Sequence, residues 1–184
     1  MKPRWKVPFP YGYGASVDSM GSISAPLLAA TSTALLGLVL TLGDAIRWSN
    51  AALFLLVGAS FAFVSAVQLT FWARRFVVTP SELAEWWPER FESRDSELEW
   101  EQRFHYERFL VWAERAKAAY NSGVLLLLAS IPVMLVPKGP RLLDVNHVRL
   151  AAAALALAAF LAEAVWIWLA LRRPHRFDPV GSVI

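Results

Sequence analysis

The stretch Trp48–Ala73, WSNAALFLLVGASFAFVSAVQLTFWA, carries no charged residue and is followed at once by Arg74 and Arg75. About 20 apolar residues suffice to cross the roughly 30 Å of hydrocarbon in a bilayer when each rises 1.5 Å along a helix. Three further blocks read alike. Gly21 to Gly43 and Ala118 to Pro137 hold no charge, and Leu150 to Leu171 holds one, Glu163. A chain of 184 residues with four such blocks has too little polar surface to cover them in water. The expected fold is all-α: a four-helix transmembrane bundle with a cytoplasmic helical insert between spans 2 and 3.

Composition agrees. The chain is 57% hydrophobic and 18% charged, against about 45–50% and about 25% in soluble domains. It has no cysteine, which excludes disulfides, thiolate metal sites and cysteine nucleophiles. The boundaries read as an arm over 1–20, spans over 21–43 and 50–73, an insert over 74–117, spans over 118–137 and 148–171, and a tail over 172–184. Ser24 is placed to cap the first span with Pro26 in its first turn. Pro132 predicts a kink in the third.

Orientation follows from Lys and Arg, which accumulate on the cytoplasmic side. Lys2, Arg4 and Lys6 in the arm, Arg74 and Arg75 at the start of the insert, and Arg172, Arg173 and Arg176 in the tail lie on one side of a four-span path. Arm, insert and tail together hold 14 of the 18 basic residues. Both termini and the insert are expected in the cytoplasm, in the plasma membrane of a bacterium. The basic residues then read as membrane-surface contacts and not as a nucleic-acid surface, since the insert has ten acidic residues to eight basic ones.

Within the insert, Thr79-Pro80-Ser81-Glu82 has the form of a capping box with proline at the first helical position, opening a short helix that stops at Pro88. Ser96 with Glu99 fits a second capping box, and no helix breaker follows before Asn121-Ser122-Gly123. That helix is expected to run straight into the third span. Leu98, Trp100, Phe104, Phe109, Leu110, Trp112 and Ala116 fall at spacings of three, four and seven that build a broad aromatic face on it, and the short helix adds Trp86 and Trp87 as further docking candidates. It reads either as internal packing against the short helix and the membrane surface, or as a docking face for a partner or second copy.

Glu163 is the charge to explain. A carboxyl group in hydrocarbon is costly and marks a structural or functional requirement. It precedes Arg172 by nine residues, about 13 Å of helix. Ala152, Ala156, Ala159 and Ala170 lie within about 40° of it around the helix, which predicts a small-residue face turned into the bundle, with Leu150, Leu157, Leu161, Val165 and Trp168 toward lipid. A similar face on the second span is Ala51, Gly58, Ala62 and Ser65. Thr33, Ser65 and Ser130 lie at comparable depths, so an intramembrane polar site of Glu163, Ser65, Thr33 and Ser130 is expected.

No phosphate-binding, zinc-protease, dinucleotide or hydrolase motif is present. His105, His147 and His175 all lie outside the spans, which gives no basis for haem or metal in the membrane. No cofactor is expected. The chain resembles a group of small four-span integral membrane proteins of high-GC Gram-positive bacteria. The likeness rests on Ser24-Ala25-Pro26-Leu27-Leu28, Arg47-Trp48, Val67-Gln68 with Phe71, Ala73-Arg74, Trp87-Pro88 and Ala118-Ala119-Tyr120-Asn121-Ser122-Gly123. It implies an integral membrane protein and supplies no activity. The expectation is a non-enzymatic membrane scaffold, a homo-oligomer or the holder of a protein partner on the cytoplasmic side. The alternatives are an oligomeric channel or membrane-permeabilising effector, and a proton-coupled transporter or accessory subunit using Glu163.

Overall fold

A computed structural model of the protein describes residues 12–93, 96–136 and 147–172. The described residues are helical apart from short turns, with no strand. In chain order the helices are α1 (Tyr13–Ala45), α2 (Ser49–Arg74), α3 (Pro80–Trp86), α4 (Pro88–Glu92), α5 (Ser96–Leu135) and α6 (His147–Arg172). Four of them, α1, α2, α5 and α6, are long and apolar enough to cross a membrane. The chain divides into two compact units, Met1–Thr33 with Gly58–Gly123, and Ala34–Val57 with Val124–Ile184.

The start of the first helix differs from expectation. Gly12, at φ 96°, takes the left-handed backbone that glycine tolerates, and its carbonyl accepts from Ser16 N–H at 2.8 Å. Helix follows from Tyr13, so Ser24 is not a cap but lies inside α1. What allows this is a π-helical turn, Met20–Ser24, just before Pro26. Proline has no N–H to give to the carbonyl four residues back. The wider turn opens the ladder there, with Ala25 N–H reaching Met20 O. Packing rewards the extension: Val17 is buried with Ala73, Phe109 and Ala113, and Gly21 lies against the Thr70 side chain with no room for a Cβ.

The second helix buries Ala52, Leu56, Ala59, Phe63, Ala66, Thr70 and Ala73. Their alternating spacing of four and three is the seam of left-handed helix packing. It is not the expected face of Ala51, Gly58, Ala62 and Ser65, of which Ala51 is exposed and the rest are partly buried. The seam is set by what its neighbours accommodate, not by small residues alone. The Phe63 ring occupies the space over Gly123, where a Cβ would lie 2.8 Å from the ring, and meets Tyr120 edge-on at 5.9 Å.

The capping box at Thr79 forms: Thr79 N–H donates to Glu82 Oε2 at 2.7 Å and Glu82 N–H to Thr79 Oγ1 at 3.3 Å. α3 ends before Pro88, which then opens α4. α5 is one helix of 40 residues: it runs from the insert into the apolar run, as the lack of breakers before Asn121 predicts, and continues through Gly123 and Pro132. Ser96 is already helical, so it lies inside α5 and not at its cap. Its buried positions, among them Leu98, Gln102, Phe109, Ala113 and Ala116, continue to Gly123, Leu127 and Ser130. On α6 the expected lipid-facing residues Leu150, Leu157, Leu161, Val165 and Trp168 are exposed. The buried positions are Ala153 and Ile167, with Ala156 and Phe160 partly covered. Ala152, Ala159 and Ala170, expected inside, are exposed.

Candidate functional site

The densest polar and aromatic contacts lie where the first turns of α1 meet the end of α2 and the middle of α5. Tyr13 donates its hydroxyl to Glu114 Oε1 at 2.9 Å and meets the Phe109 ring edge-on at 6.1 Å. Asp18 Oδ1 lies 3.0 Å from Arg74 Nη1. α1 is thus tied to α5 through Tyr13 and to α2 through Asp18. Burial, and then the Glu114 carboxylate beside it, push the Tyr13 phenol well above its ordinary value, so it remains a proton donor at neutral pH. Tyr13 precedes the uncharged stretch that begins at Gly21.

On the same pair of helices, the Trp72 and Trp112 rings stack with centroids 6.1 Å apart and 27° between planes. The Arg75 guanidinium carbon lies 4.8 Å from the Trp72 ring centre and that of Arg115 lies 4.9 Å from the Trp112 ring centre. At the far end of the chain Arg172 lies 3.7 Å over Trp168. Arg74, Arg75 and Arg172 therefore all have defined partners. Lys2, Arg4, Lys6, Arg173 and Arg176 lie outside the described residues.

The six aromatic candidates separate. Phe109 leaves the expected surface: it is 2% exposed, packed with Val17, Ala73 and Ala113, because the α1 extension covers it. Trp112 is partly buried in its stack with Trp72. Trp86, Trp87, Trp100 and Phe104 are exposed, and Trp100 lies flat on Phe104 at 5.7 Å. His105 was not singled out by the sequence as part of this region. It lies near the Phe76 and Phe104 rings, and its buried Nδ1 has no hydrogen-bond partner among the described residues.

The intramembrane polar set resolves differently. Each hydroxyl satisfies itself on its own helix: Thr33 to Ala29 O at 2.9 Å, Ser65 to Phe61 O at 2.8 Å and Ser130 to Leu127 O at 2.7 Å. Ser130 is fully buried, Ser65 partly buried and Thr33 exposed. Thr33 and Ser65 belong to the first compact unit, Ser130 and Glu163 to the second. Glu163 is partly buried at the edge of the covered side of α6 and makes no hydrogen bond or ion pair among the described residues. The buried hydroxyls that sequence reasoning missed are Ser32, bonded to Leu28 O, and Thr70, bonded to Ala66 O. Thr31, Ser32 and Thr33 are consecutive, and only rotation about the helix distinguishes them.

Among the described residues no three His, Asp or Glu side chains converge in a way that would hold a metal ion. No family model, curated protein or solved structure matches the chain. The class defined by the fold is an all-helical protein with four helices long and apolar enough to cross a membrane.

Proposed function

We propose that this is a non-enzymatic integral protein of a bacterial cytoplasmic membrane, a four-helix bundle with both termini and the region from α3 to the middle of α5 in the cytoplasm. It acts as a scaffold whose cytoplasmic helices dock a protein partner or a second copy of the chain. The observation that carries the reading is the exposure of Trp100, 66%, with its stacked neighbour Phe104, 40%; Trp86 and Trp87 are likewise open, at 59% and 51%. Large aromatics of this kind are enriched at the centres of protein interfaces. Trp100 and Phe104 stand on α5, one helix that continues into an apolar run, so a partner seated there is joined directly to the proposed membrane anchor.

The test uses the absence of native cysteine. A photo-reactive probe on a single cysteine at Glu101, beside Trp100, should crosslink in native membranes. Replacing Trp100 and Phe104 with serine should abolish that crosslink while leaving membrane insertion intact. A protein that stays monomeric and crosslinks to nothing removes the docking role.

A further inference from the structure

Residues 82–101 hold eight acidic residues and two arginines. Part of this segment forms a groove of about 530 Å³ between α4 and the start of α5, lined by Arg90, Ser96, Glu97, Trp100 and Glu101. Arg90 is its own cation, 3.5 Å from Glu97 and 5.9 Å from the centre of the Trp87 ring. Glu101 is exposed and makes no ion pair or hydrogen bond among the described residues. An open indole beside such a carboxylate suits a cation that stacks and pairs at once. An anionic surface is repelled there.

The chain itself supplies a segment of that chemistry. Residues 1–11 carry Lys2, Arg4 and Lys6 and no acidic residue, and Pro3, Pro8 and Pro10 disfavour helix in so short a stretch. The end of this arm is fixed on α5, where Tyr13 is bonded to Glu114. Farther along α1, Ser19 and Ser24 share a groove with Tyr120 and Asn121, so the two helices run the same way. The chain before Tyr13 therefore starts toward the Ser96 end of α5. Glu101 lies thirteen residues before Glu114, about 20 Å of helix. At about 3.4 Å per extended residue, Lys6 reaches about 24 Å from Tyr13 and Arg4 about 31 Å. Exposed ion pairs are weak singly, but a short tether holds the arm at about millimolar effective concentration. The membrane surface is the rival for these cations. On the spanning reading Tyr13 stands eight residues, about 12 Å of helix, before the uncharged stretch. That exceeds the roughly 8 Å over which headgroup charge is felt.

We propose that the N-terminal arm occupies this groove, with Lys2, Arg4 and Lys6 paired to Glu97 and Glu101 and one of the cations against Trp100. This occupancy rests on reading the Trp100 surface as a docking site and adds its control: a partner reaches Trp100 by displacing the arm.

Carbodiimide coupling of the full-length protein in micelles of uncharged detergent joins a lysine amine to a carboxylate in contact with it, and mass spectrometry locates each link. Lys117 and Glu114, 3.8 Å apart, give the internal standard. Lys2 or Lys6 should link to Glu97 or Glu101, and Trp100→Ser should lower that yield about threefold relative to the standard. In an equal mixture of ¹⁵N-labelled and unlabelled protein, each linked peptide pair should carry a single label. A normal standard without an arm link, or arm links spread evenly over Glu85, Glu92 and Glu107, would overturn the assignment. So would mixed labels, which give the groove to the arm of a second copy, and loss of the link in phosphatidylglycerol vesicles, which gives the arm to the membrane. Failure of the docking reading shows separately. The photo-probe at position 101 then captures no partner in native membranes even when Lys2, Arg4 and Lys6 are replaced with glutamine, while the arm link persists in the unaltered chain.

Discussion

At the scale of single residues, the pairing of Phe63 with Gly123 shows how α5 accepts a large ring. In lipid no hydrophobic effect drives two apolar helices together, so close packing must do so. Phe63 is fully buried, and a Cβ at position 123 would stand 2.8–3.0 Å from three atoms of its ring. Gly123→Ala should therefore destabilise the protein by about 1–3 kcal/mol, the usual range for overpacking. Phe63→Leu in the same chain should recover part of the loss. Unfolding in mixed micelles measures both, and purely additive effects would show that the two residues do not constrain each other. The same residues show why the sequence revealed the spans but not their rotation. A helix buried against protein on one side and lipid on the other is apolar all round. Ser32 and Thr33, or Ala51 and Ala52, then differ only in angle, and composition has no contrast to report. The shape of Phe63 and the gap at Gly123 decide the phase, and that is a property of the pair.

At the scale of elements, α1 and α5 illustrate opposite outcomes. α5 was legible because 22 residues without a breaker lead from Ser96 to Lys117 and on into an apolar run. α1 was not, because Ser24 and Pro26 imitate a helix start. Only the π-helical turn and the burial of Val17 and Gly21 show why the helix begins eleven residues earlier, at Tyr13. The candidate aromatic face divided for the same reason: the extended α1 covers Phe109 and leaves Trp100 and Phe104 open. The extension depends on its clip to α5. Tyr13→Phe should cost about 1 kcal/mol, since a partly buried hydrogen bond is removed while Glu114 keeps Lys117 nearby. The ion pair of Asp18 with Arg74 is substantially exposed and adds less. Amide exchange at Ser16–Gly21 should accelerate about fivefold in the Tyr13→Phe variant. The folded-state phenol ionises above its ordinary value of 10.0, so the bond stabilises fully below that pH and its contribution is lost as pH rises past it. The difference between the two proteins should shrink in the same direction. Unchanged exchange at neutral pH would mean that Val17 and Gly21 alone hold the extension.

At the scale of the whole molecule, lengths and charges bear on the same question of sidedness. α1 and α5 have 33 and 40 residues, about 50 and 60 Å of helix, against about 39 Å for each of α2 and α6. Both long helices exceed the roughly 30 Å of hydrocarbon. Their extra turns are the polar ones, before Gly21 in α1 and before Ala118 in α5, and they are joined to each other by Tyr13 and Glu114. If the long helices span a membrane as proposed, those turns fall on one side of it, with Arg74 bonded to the same stretch of α1. On the proposed orientation that side is the cytoplasm, because the sequence puts 14 of the 18 Lys and Arg residues in the arm, insert and tail. Because the chain has no cysteine, single substitutions report sidedness without background. Ala45→Cys, at the end of α1, should react with an impermeant maleimide in intact cells. Ser93→Cys and Glu107→Cys, both at exposed positions, should react only after the membrane is opened. The inverse pattern would reverse the orientation and place the aromatic surface outside. Labelling of all three in intact cells would remove the membrane-spanning arrangement itself.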